Sequence, residues 1–287
     1  MTEPMNAPGA SVLLLEHGAA GGRIVAEARL NSAATLNALS LEMIDILTPA
    51  MKEWAREDRV VAVILTGGGE RAFSAGGDVQ ALYRAMENNH HAGERVDEYP
   101  YQFFEREYRL DYLLHTFDKP LVAFGHGIIM GGGLGLFGAA SIRIVTEKVR
   151  IAFPEVTIGL FPDAGGTWLL RNMPERYALF LGMTGSRVNA ADAVLLGLGT
   201  HSISRAHLDQ VLSGILELPF TGDKDADRLR VDEFLQAQEP VPMPRAELPV
   251  VRETVTANGD LGDIVTSIRS LNGTSQWVDE GLAAMEQ

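Results

Sequence analysis

The chain has 287 residues, 46% of them hydrophobic and 22% charged, which is ordinary globular composition and long enough for one large α/β domain or a core with an appendage. The absence of cysteine excludes a disulfide framework, a thiolate metal site and a cysteine nucleophile at once. A net charge of −14 and a pI of about 4.9 argue against non-specific binding to nucleic acid or to an anionic membrane.

The N-terminal "MTEPMNAPGA" has no basic segment, and the apolar "VLLL" after it is too short for a secretory signal. This fits the cytoplasm of a bacterium; a mitochondrial matrix location, the alternative for a eukaryotic source, has no evident transit peptide behind it. "SVLLLEH" and "RIVAEARL" read as strands. Leu41, Ile44, Leu47, Met51 and Trp54 then recur at spacings of three and four, the apolar face of a helix, with Ser40 as its N-cap. "VVAVILTG" is the next strand. "RAFSAGGDV" carries Gly76 and Gly77 ahead of Asp78, a helix cap, and the helical "VQALYRAM". His90 and His91 follow in a polar loop, with no metal-ligand spacing around them. "YQFFEREYRLDYLLHTF" is a second amphipathic helix.

Leu121–Ile142 contains no Asp, Glu, Lys or Arg and has the length of a membrane span. Its seven glycines and its change of pattern indicate a buried strand, "PLVAFGHGIIM", running into a buried helix opened by Gly131–Gly133. "SIRIVTE" and "VRIAF" are further strands, so strands and helices alternate to about residue 205. Beyond it "SRAHLDQVLSGILEL", "DADRLRVDEFLQAQ", "LGDIVTSIRSLN" and "QWVDEGLAAMEQ" all read as helices, with the Pro-rich "EPVPMPRAELP" among them. The expected organisation is a core over 1–205 and a helical region over 206–287.

Two glycine-rich junctions that each follow a strand and open a helix can aim a pair of backbone N–H donors at one oxygen; they can equally be two tight turns. Gly133, Gly135 and Gly138 also form a G-x-G-x-x-G with Glu155 about twenty residues on, the outline of a dinucleotide site, which keeps a nicotinamide-dependent oxidoreductase as a rival. Glu155 and Asp163 are the two charged residues of "IAFPEVTIGLFPDAGG". Taken alone, Asp163 reads as an N-cap and Glu107 as part of a solvated face with Glu105, Arg106 and Arg109, whereas the apolar neighbours of Glu155 favour a task over a strand-end acid reaching solvent. His126, lone in an apolar strand, reads as structural, and Ser74 has no evident base.

The four segments "TLNALSLEM", "ERAFSAGGDV", "GIIMGGGLGL" and "FPEVTIGLFPDAGGTWLL", in this order, resemble the crotonase (enoyl-CoA hydratase/isomerase) superfamily across roughly residues 12–205. The resemblance implies an α/β fold, a spiral of ββα units with a mainly helical C-terminal part. It implies binding of an acyl-CoA thioester oxygen by the N–H groups of Gly77 and Gly132. The hydratase branch has a second glutamate at the position of Gly135, which argues against two-glutamate water addition here. Through "FFEREYRLDYLL", through "MGGGLGL" with a small residue where hydratases carry glutamate, and through "GLFPDAGG" with Asp163 where hydratases usually have glycine, the chain looks most like the 3-hydroxyisobutyryl-CoA hydrolase branch. That likeness implies substrate or catalytic positions at Glu107, Gly132, Glu155 and Asp163, with Glu155 as base or nucleophile and Asp163 positioning water or the substrate hydroxyl. It also implies no cofactor beyond the coenzyme A of the substrate, no metal, no nucleic acid and no membrane, and it leaves a homo-oligomer open. Members of the branch generally continue through further helices that close the pocket and form subunit contacts. A single-glutamate hydratase or isomerase, and a non-catalytic acyl-CoA binder, stay as alternatives.

Overall fold

The computed structural model describes residues 3–238, 247–252 and 254–286. In chain order the elements are strands β1 (Val12–Ala19) and β2 (Arg23–Leu30), helix α1 (Leu41–Arg56), β3 (Val60–Gly67), β4 (Ala72–Ser74), α2 (Val79–Ala92), α3 (Tyr99–His115), β5 (Leu121–Gly125), β6 (Ile128–Met130), α4 (Gly132–Ala139), β7 (Ile142–Val145) and β8 (Arg150–Ala152). A 3₁₀ segment at Pro154–Ile158 leads to α5 (Gly166–Arg171), α6 (Glu175–Thr184), α7 (Ala190–Leu195), β9 (His201–Ser202), α8 (Leu208–Leu216), α9 (Lys224–Gln236), α10 (Leu261–Arg269) and α11 (Gln276–Met285). The Pro-rich connector lies largely outside the described residues.

Two sheets result. The larger has the order β1-β2-β3-β5-β7-β9 and is parallel except for the β1–β2 hairpin. The smaller, β4-β6-β8, is parallel throughout. Each turn of the spiral therefore sends one strand to the large sheet and the next to the small one: β3 then β4, β5 then β6, β7 then β8. Strand β3 shows why the apolar runs are continuous and do not alternate. Val63 and Leu65 face one core with α1, α3 and α4, while Val61 and Ile64 face another with α8 and α9, so both sides of the sheet are covered.

Local signals behave as their chemistry dictates. The Ser40 hydroxyl accepts from the Met43 amide and Asp78 from the Ala81 amide, each satisfying an orphan donor of a first helical turn. The run "PLVAFGHGIIM", read from sequence as one strand, is two strands in different sheets. The chain turns at Gly127, which has φ +55° and passes so near the Arg71 carbonyl that a Cβ has no room. Leu121–Ile142 is thus β5, β6 and α4 in the core, and among the described residues no helix is long and apolar enough to cross a membrane. The helices after residue 205 do not stand apart: Val231 and Leu235 join one core, and Ile268, Val278 and Leu282 the other.

Candidate active site

The small sheet is what assembles the site. Its strands run parallel, and the residues just past their C-terminal ends are Gly76 and Gly77 after β4, Gly131 and Gly132 after β6, and Pro154 and Glu155 after β8. Three segments spread over eighty residues of chain thus become neighbours at one sheet end. The contacts are close: a Cβ built on Gly131 would lie 3.6 Å from Gly76 Cα and 3.7 Å from Glu155 Oε1.

Each glycine turn presents an amide. The Gly76 carbonyl and the Asp78 amide bond to Leu39 at 2.7 and 2.9 Å, so the N–H of Gly77 between them points away from Leu39. Gly132 is the first residue of α4, where the helix leaves N–H groups unpaired and the backbone dipoles favour negative charge. Both glycines line one cavity of about 280 Å³, together with Glu107, Glu155 and Asp163.

The acids do not occupy the bland positions open to them in the sequence. Glu107 is 2% exposed and lies against Gly132, although its sequence neighbours on α3 are solvated. Burial first, then the charges of Asp111, Asp163 and Glu155, push its carboxyl up to about 9. Glu155 is 6% exposed, and its Oε2 has no hydrogen-bond partner. Burial and, less strongly, Asp163 push it up to about 7 against the opposing pull of its own backbone amide. Asp163 does not cap α5, whose N-cap is Gly165. Its Oδ2 instead accepts a hydrogen bond of 2.7 Å from the Tyr108 hydroxyl.

Two site neighbours escape a sequence reading. One is Tyr108, and the other is Asp111, 8% exposed, with neither carboxyl oxygen accepting a hydrogen bond. A signal for the acids was present: Phe103, Glu107, Leu110 and Leu114 fall at spacings of four, three and four, so an acid sits within an apolar stripe, and Asp111 lies one turn on from it. Asp111, Asp163 and Gly135 line a second cavity of about 360 Å³, walled by Tyr112, Phe161 and Trp168. Asp163 borders both cavities.

Other candidates fall away from the site. His126 Nε2 lies 3.0 Å from the Gly69 carbonyl, and burial, helped by Arg205, pushes it down to about 4, so it is a neutral structural imidazole. The Ser74 hydroxyl donates to the Asn37 carbonyl. Arg71, beside the first glycine turn, is exposed and does not line the cavity. Among the described residues no group of three or more His, Asp or Glu is placed to hold a metal ion.

The glycines of the G-x-G-x-x-G serve packing. Cβ positions on Gly133, Gly135 and Gly138 would lie 2.5 Å from Ser74 Oγ, 2.7 Å from the Ala164 carbonyl oxygen and 2.6 Å from Leu169 Cδ1. In a dinucleotide fingerprint the second glycine is the one that lets the backbone approach the pyrophosphate, and the space over Gly135 is filled by Ala164 and Asp111, so the dinucleotide reading is set aside. Gly135→Ala is accordingly expected to destabilise the fold by about 1–3 kcal/mol, seen as a drop of about 2–4 °C in Tm per kcal/mol in a thermal melt. An unchanged Tm would show that the turn at Ala164 yields easily.

The profile of the enoyl-CoA hydratase/isomerase family matches residues 25–287. The chain belongs to this family. Among solved structures of similar fold, a carnitinyl-CoA dehydratase from Mycobacterium thermoresistibile superposes with a TM-score of 0.77 and 30% identity over 95% of this chain and 74% of that one. An enoyl-CoA hydratase from Rhodobacter sphaeroides gives 0.75 and 30% over 94% and 73%. Among curated relatives, the mitochondrial 3-hydroxyisobutyryl-CoA hydrolase of Danio rerio is 36% identical over 215 residues, 74% of this chain and 54% of that protein. A small ribosomal subunit protein of Neurospora crassa, mS47, is 39% identical over 190 residues, 66% of this chain and 36% of that protein. The chain thus spans about half the length, or less, of the curated relatives it matches.

Proposed function

We propose that this family member hydrolyses a short 3-hydroxyacyl-CoA thioester, with 3-hydroxyisobutyryl-CoA, an intermediate of valine breakdown, as the first choice. The observation that carries the reading is Glu155, partly protonated near neutrality and unpartnered at Oε2, beside two glycine amides, at a site whose Gly135 leaves no side chain for a second hydratase glutamate. The hydrolase name of relatives such as the Danio rerio protein supports the same choice.

In this reading the N–H groups of Gly77 and Gly132 donate to the thioester carbonyl oxygen and hold the charge that develops there. Ionised Glu155 takes a proton from water as the water oxygen bonds to the carbonyl carbon. The tetrahedral intermediate collapses with cleavage of the C–S bond, and coenzyme A departs as a thiolate that needs little acid assistance. Asp163 orients the water or the 3-hydroxyl, and neutral Glu107 donates a hydrogen bond to the substrate. No resident cofactor takes part. The compartment proposed is that of the substrate, the cytoplasm in a bacterium or the mitochondrial matrix in a eukaryote.

The deciding assay is release of free thiol from 3-hydroxyisobutyryl-CoA. Hydration of crotonyl-CoA without thiol release would overturn the hydrolase in favour of a hydratase. Binding of CoA esters without any turnover would instead favour the non-catalytic role that the match to a ribosomal protein keeps in view. The rate should rise with pH through about 7, as Glu155 ionises, and fall as Glu107 ionises near 9. A flat profile between pH 6 and 8 would remove Glu155 as the base.

A further inference from the structure

Asp111 enters none of these steps, yet its surroundings are built around it. It lies three residues beyond Tyr108 on α3, so both project towards the same stretch of chain, Asp163–Gly165. That stretch is backbone-strained. Ala164 has φ +44° and Gly165 φ +77°, and the left-handed conformation costs an alanine about 1–2 kcal/mol, so it persists only where the surroundings hold it. One hold is visible from outside, where the Tyr108 hydroxyl binds Asp163 Oδ2 at 2.7 Å. From inside, a single point above Gly135 lies 3.0 Å from Asp111 Oδ1 and 2.7 Å from the Ala164 carbonyl oxygen. Two buried oxygens brought near one point, with neither oxygen of Asp111 accepting a hydrogen bond, are unfavourable neighbours unless a proton or a water lies between them.

We propose that Asp111 is a positioning residue. Its carboxyl group donates a hydrogen bond to the Ala164 carbonyl, directly or through one water, and so holds the turn that keeps Asp163 facing the thioester cavity. Burial, reinforced by the charge of Asp163, pushes Asp111 up to about 8, which keeps a proton on it at neutral pH and starts the alkaline fall in rate before Glu107 ionises. Gly135 then has a reason to lack a side chain, since any Cβ would enter the space in which Asp111 meets the turn.

The proposal rests on the hydrolase reading above, and its test is thiol release by Asp111→Leu and Asp111→Asn beside wild type. Asp111→Leu should lower kcat about tenfold through misplacement of Asp163, with KM nearly unchanged and Tm not reduced. Asp111→Asn carries an N–H donor at the same place and should restore kcat to within about threefold of wild type. Wild-type kcat in the leucine variant would overturn the proposal. Equal damage from asparagine and leucine would overturn it too, because the acid would then transfer a proton itself; so would a kcat loss that tracks a fall in Tm. Should the leucine variant not fold, Asp111→Ala takes its place with the same expectations. Absence of turnover in wild type overturns the hydrolase reading and this inference together, whereas turnover insensitive to Asp111 overturns this inference alone.

Discussion

Glu155→Gln is expected to reduce thioester turnover about 10²–10⁴-fold, the usual contribution of a positioned base, while leaving the fold intact. The side chain keeps its size, and burial already penalises the charged form of Glu155, so the neutral amide should not lower Tm. The pH-dependent rise near 7 should vanish with it. Thiol release measured across pH, beside a thermal melt, checks all three. A variant within threefold of wild type would show that the carboxylate at 155 does not act on the substrate. Single turnover in ¹⁸O-labelled water separates base from nucleophile, since only a mixed anhydride at Glu155 leaves label in the protein.

Gly132→Ala should be nearly as damaging, with kcat down about 10²–10³-fold, the loss associated with one oxyanion donor. The new Cβ would run into the Glu107 carboxyl, and Glu107 is too deeply buried to swing into solvent. Relief must come from a shift of the first turn of α4 or of Glu107, and either displaces a group that faces the thioester. Gly77→Ala offers the comparison. Its Cβ would meet the Phe103 ring edge at 3.0 Å, and a ring tip can move by a few tenths of an ångström, so its effect should be smaller. Equal losses from the two substitutions, by thiol release, would contradict this placement of Glu107.

Much of the architecture was legible because it depends on short-range pattern. The apolar spacing Leu41 to Trp54 with Ser40 before it requires only the helical repeat and one capped amide, and the structure has both. The two glycine turns and the Pro-Glu pair were visible as motifs for the same reason. By contrast, "PLVAFGHGIIM" is uniformly apolar, and nothing in its composition shows that the chain leaves one sheet for another at Gly127. The partner of Asp163 was equally hidden: Tyr108 lies 55 residues away and reaches it only because α3 packs beside the turn. Glu107 and Asp111 were concealed by charged neighbours on a helix whose buried face is defined only by packing against α1, α2 and α4.

By itself, then, the sequence determined which residue types stand past the ends of the small-sheet strands, and that Gly135 has no side chain to handle a proton. Those facts are local, a matter of which side chain or conformation a position permits. Tertiary structure alone decided that the ends of β4, β6 and β8 are adjacent, that three carboxyl groups share one cavity with two glycine amides, and that burial raises Glu107, Asp111 and Glu155 towards or beyond neutrality. The physical reason is that a carboxyl's proton affinity depends on the water it loses and the charges it meets. Both are set by segments distant in sequence that only the folded chain brings together.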